Sequence, residues 1–286
     1  MGIISVIGTC LHWVSPSAAQ RARRQWALTK KQWALRRPGA PWNKAHLINH
    51  LARVRGYRHY LEVCTPTSGG RYAEIKRSKF ATCVRLMYQC PHSYDDGMTI
   101  DYRSTGLDIT ECLTRMREDG RRVDIALLDS FHEYEPSLRD LREVFGLISD
   151  GGTLVVHDCL PPTTELAQPK FIHGEWCGVT YQAFIDYVSD RDDLEFYTVD
   201  TDYGCGIIRK RAKASPAAIA GAPSINHTAV DARSQTVANW QTQRDDPWAA
   251  FSFFEAHKKD LMNLISVDEF LAKNSKRTRN LAGLWT

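Results

Sequence analysis

Apolar residues fall in two dense runs near the middle of the chain, Val123-Asp124-Ile125-Ala126-Leu127-Leu128 and Thr153-Leu154-Val155-Val156. Runs of this length and density read as strands buried on both faces. Between them Leu138, Leu141, Val144, Phe145 and Ile148 recur at helical spacing, Pro136 suits a first turn, and Gly151-Gly152 follow the last turn. Strand, crossover helix and strand make a parallel pair in one sheet. The first run stops at Asp129-Ser130-Phe131-His132-Glu133-Tyr134 and the second at His157-Asp158. Ligands of open parallel sheets bind beyond the carboxyl ends of the strands, so Asp129, His132, His157 and Asp158 are candidates for chemistry.

The flanking pattern extends this unit in both directions. Residues 45–52 are amphipathic at helical spacing, and Tyr60-Leu61-Glu62-Val63-Cys64 predicts the first strand, with Thr65-Pro66-Thr67-Ser68-Gly69-Gly70 as a small-residue loop after it. Residues 80–88 and 98–102 predict two more strands. Asp108 and Glu111 have capping-box spacing for a helix that buries Leu113 and Met116 and ends at Gly120. Beyond Pro161-Pro162 a helix carries Phe184, Ile185, Tyr187 and Val188. Residues 194–201 and 206–209, joined by Asp202-Tyr203-Gly204, predict an antiparallel hairpin at the sheet edge. Five parallel strands and a hairpin result.

Pro38-Gly39-Ala40-Pro41 breaks the chain, making residues 1–42 an appendage and 43–211 the catalytic domain. Residues 212–286 read as an extension: a linker rich in Ala, Ser, Thr, Asn and Gln to about Pro247, then a helical segment with Phe251, Phe254, Leu261, Leu264, Ile265 and Phe270. That segment is suited to covering the sheet, the site or a homodimer interface.

Charge changes the picture at one end only. The net charge of +4 divides into eleven Lys and Arg with no acid over residues 1–61, and 26 basic against 33 acidic residues beyond them. A basic arm of this kind serves an anionic surface, a transit peptide or pairing with the acidic body. Within it Gln-Trp-Ala-Leu occurs at 25–28 and 32–35. On a helix its Trp and Leu positions would stand about 200° apart, which leaves no single apolar stripe for a membrane surface. Residues 3–14 are mostly apolar, but no positive charge precedes them and Trp13 interrupts them, so they do not read as an export signal. No apolar run approaches the ~20 residues of a membrane span. The eight cysteines form no Cys-x-x-Cys pair. They read as scattered thiols of a reducing, cytoplasmic compartment.

Glycines after the first strand let backbone approach a nucleotide-like ligand, and Glu62 suits a ligand's ammonium or ribose, or the cap of a turn. Tyr60-Leu61-Glu62-Val63, the Asp129–Tyr134 segment, Gly151 to Asp158 and the terminal hairpin together resemble class I S-adenosylmethionine-dependent methyltransferases, nearest the family-24-like group, over roughly residues 45 to 210. The resemblance implies a Rossmann-like α/β fold, a seven-stranded, mostly parallel sheet whose last strand is antiparallel, with helices on both faces. It implies S-adenosylmethionine as cofactor, with Glu62, Thr65, Ser68, Gly69, Gly70, Asp101, Ser104 and Asp129 lining its site. It further implies O-methylation of a small molecule such as a sugar or glycosylated metabolite, with His132 as general base beside Asp129 and His157 as the competing base. Some similar enzymes hold a divalent cation, which here would be Mg2+ on Asp129 and Asp158. Two departures stand out: Cys64 replaces the family's glycine, and the second strand ends Leu86-Met87-Tyr88-Gln89 without the acid that holds ribose. These keep open a binding module without catalysis. The basic arm keeps open an RNA-modifying enzyme, although no aromatic-basic stacking motif argues for a nucleic-acid partner.

Overall fold

The computed structural model describes residues 41–66, 71–211 and 227–275, with the backbone alone for 227–232. Residues 1–40 of the basic arm and residues 67–70 of the first loop lie outside these residues. In chain order the elements are α1 (Lys44–Arg55), β1 (His59–Cys64), a 3-10 turn (Arg77–Lys79), β2 (Thr82–Met87), β3 (Tyr102–Arg103), α2 (Thr110–Glu118), β4 (Val123–Leu128) and α3 (Tyr134–Leu147). There follow β5 (Ile148–Val156), α4 (Thr180–Val188), β6 (Leu194–Val199), β7 (Cys205–Lys210), α5 (His227–Gln243), α6 (Pro247–Leu261), β8 (Leu264–Ile265) and α7 (Val267–Lys273).

The strands form one sheet in the order β3-β2-β1-β4-β5-β7-β6-β8. β1 to β5 are mutually parallel and β7 alone runs against its neighbours. This is the Rossmann-like arrangement expected, with eight strands rather than seven. The extra strand, β8, pairs with β6 at Thr198↔Leu264 and Val199↔Ile265. Asn263 takes a left-handed φ of 46° and so ends α6, which frees Leu264 and Ile265 to extend where the apolar spacing predicts helix. The hairpin forms, but not at the sheet edge: β7 is flanked by β5, and β8 lies outside β6.

The order reverses between β1 and β4, and a crevice opens at their carboxyl ends. Side chains alternate across the sheet. Leu61, Val63, Ala126, Leu128, Leu154 and Val156 pack beneath α2 to α6, while Tyr60, Ile125, Leu127, Val155 and Ile207 pack beneath α1 and α7. β4 is buried along its whole length, as its near-continuous apolar run requires.

Several boundaries move for local reasons. β5 begins at Ile148, so Gly151 and Gly152 lie within it at a register shift opposite Val123 and Ile125. A Cβ at Gly152 would stand 2.6 Å from the Asp124 carbonyl oxygen, so the bare backbone is what lets β5 close on β4. β3 starts at Tyr102, not at residue 98. Just ahead of it Asp101 clasps β2, its N–H donating to Arg85 O and its carboxylate accepting from Arg85 N, both at 2.9 Å. α2 lacks the expected capping box: Asp108 accepts from Thr110 N at 2.8 Å, and Ile109 occupies the cap position with no side-chain bond. Leu113 and Met116 are nevertheless buried. The linker expected up to Pro247 is helical from His227 to Gln243, because Val237 and Trp240 supply a narrow buried face in an otherwise polar sequence. The seven described cysteines are all free thiols.

Candidate active site at the strand ends

Four elements deliver charged side chains to the carboxyl ends of β4 and β5. Asp129 is the first residue past β4, fully buried, and its N–H continues the sheet by donating to Val63 O at 2.9 Å. His132 stands one turn later, before α3. Its carbonyl accepts from Val179 N at 2.8 Å, its ring sits edge-on to Trp176 at 5.4 Å, and its Nδ1 lies 3.3 Å from Thr180 Oγ1. Gly178 makes this approach possible: its φ is 59°, and a Cβ there would overlap the His132 carbonyl.

His157 and Asp158 end β5. Asp158 adopts a left-handed φ of 59°, a conformation that Asp tolerates better than most side chains. Its carboxylate meets both histidines, with Oδ2 3.2 Å from His132 Nε2 and 2.9 Å from His157 Nδ1. Asp202, from the β6–β7 turn, closes the far side with Oδ2 3.6 Å from His157 Nε2.

The fourth contributor is Lys44 at the start of α1, which the sequence pattern alone does not single out. Its backbone N–H donates to Asp202 Oδ2 at 3.0 Å, and its Nζ lies 2.6 Å from Asp129 Oδ2. Asn43 caps the same turn by accepting from the N–H groups of Ala45 and His46. Lys opposes the dipole in a helix's first turn, and α1 has no acid there; in the structure Asp129 and Asp202 supply the compensating charge.

The contacts fix protonation. His157 Nδ1 also lies 3.1 Å from Lys44 Nζ, but one ring nitrogen cannot both accept from an ammonium and donate to a carboxylate. The contact to Asp158 at 2.9 Å is the shorter of the two. Burial and the neighbouring Lys44 ammonium oppose a charged His157, yet Asp158 and Asp129 outweigh them and hold the imidazolium well above the ordinary histidine range. Burial likewise opposes charge on Lys44, and Asp129 and Asp158 overcome it, lifting the ammonium above the usual lysine range. Asp129 is held well below the carboxylate range, since Lys44 and His157 overcome its desolvation. Asp202 is held down in the same way, with His157 as its main partner.

The expected cofactor residues divide. Thr65 is buried just past β1, and Ser104 follows β3 with its N–H donating to Met87 O at 2.9 Å. Both join Asp129 at the carboxyl ends of the strands. Glu62 lies within β1, and its carboxyl is engaged by the protein: Oε2 accepts from Tyr60 OH at 2.7 Å and Oε1 from Tyr72 N at 3.1 Å. It thus anchors the chain returning from the loop, and burial raises its pKa to about 7. Asp101 precedes β3 and faces Arg85 instead of the crevice. Ser68, Gly69 and Gly70 lie outside the described residues. At the end of β2, Tyr88 is buried and accepts from Phe131 N, tying that strand to the Asp129 loop.

A divalent cation is accommodated by position. Asp129 Oδ1 is buried without a hydrogen-bond partner, and one donor atom from each of Asp129, His132 and Asp158 lies within 4.8 Å of the others. His132 thus joins the two acids expected to hold the ion. Among the described residues no helix is long and apolar enough to cross a membrane.

Residues 40–159 match the family model of a methyltransferase domain. No curated protein matches the chain. Among solved structures the chain is similar to an O-methyltransferase from Bacillus cereus in complex with S-adenosylhomocysteine, at 10% identity and a TM-score of 0.44, covering 72% of this chain and 97% of that one. It is similar to the O-methyltransferase TomG from Streptomyces achromogenes, in complex with S-adenosylmethionine, at 16% identity and a TM-score of 0.45, covering 65% and 90%. MycE of the mycinamycin biosynthetic pathway, in complex with Mg and S-adenosylhomocysteine, is similar at 13% identity and a TM-score of 0.43, covering 72% and 58%. The segment that matches the methyltransferase-domain model contains α1, the switch point of the sheet and the Asp129–Asp158 cluster.

Proposed function

We propose that the protein transfers the methyl group of S-adenosylmethionine to a hydroxyl of a small molecule, of the sugar or glycosylated-metabolite class. The observation that carries this reading is the convergence of Asp129, His132 and Asp158 at the carboxyl ends of β4 and β5, beside the crevice where such sheets bind nucleotide-like ligands.

In this reading the cofactor lies over the ends of β1, β3 and β4, against Thr65, Ser104 and Asp129. The acceptor hydroxyl approaches His132. As the site stands, Asp158 Oδ2 favours a proton on Nε2 of His132. An acceptor hydroxyl donating to Nε2 separates it from Asp158 and receives the lone pair. Thr180 supports either tautomer, because a hydroxyl both donates and accepts. The proton passes to His132 Nε2 as the oxygen attacks the methyl carbon, and the C–O bond forms while the methyl C–S bond breaks, its electron pair going to sulfur and S-adenosylhomocysteine leaving; orientation supplies much of the rate. A divalent cation, were one held by Asp129 and Asp158, would supply Lewis-acid polarisation of the acceptor oxygen and leave His132 as the base.

Calorimetric titration with S-adenosylmethionine and S-adenosylhomocysteine, with and without Mg2+, tests the cofactor class before any acceptor is known. Both should bind in the micromolar range. Absence of binding at millimolar ligand rules the reading out.

A further inference from the structure

Lys44 is 2% exposed, and a lysine so buried requires an anionic partner. That partner is Asp129 Oδ2 at 2.6 Å. The ammonium is fixed from its own backbone as well, through the 3.0 Å bond to Asp202 and the Asn43 cap. Asp129 Oδ1 is thereby turned the other way, 3.9 Å from His132 Nε2 and 3.7 Å from His157 Nδ1. A divalent ion on Oδ1 would share its carboxylate with an ammonium already seated on the opposite oxygen. The two cations would repel across one carboxyl group in a buried setting, where charges are poorly screened.

We propose that Lys44 is a resident cation at Asp129, neutralising and orienting that carboxylate in the manner of a metal, so that the cluster is complete without a divalent ion and admits one only weakly. Lys44 is a positioning residue here: it touches Asp129 and not the reacting atoms. This deepens the methyl-transfer reading but needs neither cofactor nor acceptor for its test, so either can fail without the other.

The test is calorimetric titration of Mn2+ into the wild type, Lys44→Met, Lys44→Arg and the double variant Lys44→Met/Asp158→Asn. The wild type should bind at millimolar affinity or weaker. Lys44→Met should bind at least ten-fold more tightly and gain thermal stability with Mn2+, Lys44→Arg should resemble the wild type, and Asp158→Asn should abolish the gain. Micromolar binding by the wild type overturns the proposal even if Lys44→Met does not fold. Equal affinity in wild type and Lys44→Met, or a gain that survives Asp158→Asn, overturns it as well.

Discussion

His132 is the side chain on which turnover should depend. Replacement by Ala removes the proposed base while leaving Thr65 and Ser104 in place, so kcat should fall about 10²-fold or more with S-adenosylhomocysteine affinity nearly unchanged. His157 is committed between Asp158 and Asp202. If His157→Ala keeps its fold and alone loses turnover, the roles are reversed. Glu62 makes a separate statement, about stability. Its carboxyl ordinarily titrates near 4.5 and is raised by burial to about 7 in the fold. Between these values the folded state holds a proton that the unfolded chain has released. Stability should therefore fall as pH rises through this window, by about 3 kcal/mol at ~1.4 kcal/mol per pH unit. Glu62→Gln should lack that decline in urea unfolding measured at pH 5 and pH 8. A variant with the same slope as the wild type would show that Glu62 is ionised in the native state.

At the scale of elements, the join between the His132 loop and α4 is the sensitive one, because Gly178 has no room for a side chain and a left-handed backbone. Gly178→Ala should cost about 2 kcal/mol or more, from the conformation and from overlap with a backbone carbonyl that cannot swing aside. The urea midpoint reads this directly. β4, α3 and β5 were legible in the sequence because each carries its own burial signal: an apolar run along β4 and a helical stripe along α3. The acids and histidines at their ends followed from that placement. β8 and α5 were not legible, since two residues set no period and Val237 and Trp240 are a thin stripe. Lys44 was hidden for another reason. Its partner lies 85 residues away, and no local pattern specifies that a helix's first turn will meet the end of β4.

At the scale of the whole molecule, the segment beyond residue 226 is part of the core. Trp240 is fully buried and its Nε1 donates to Asp186 at 2.9 Å, Phe254 packs 4.5 Å from Tyr181, and Phe270 touches Trp42 and Tyr197. Three aromatic side chains at ~1.5–3 kcal/mol each rival the whole stability of an ordinary domain, about 5–15 kcal/mol. A chain ending at residue 211 should therefore aggregate or melt far below the full protein by circular dichroism. An unchanged melting temperature would make the segment a true appendage. The strand that this segment adds has a consequence for crowding. Among the described residues the sheet ends in strands of two residues, β8 and β3, which cover only Thr198–Val199 of β6 and Leu86–Met87 of β2. A copy arriving edge to edge would meet a stepped margin, two residues of β3 or β8 and then the uncovered part of β2 or β6, and a stepped edge is a poorer template for continued pairing than one long straight strand.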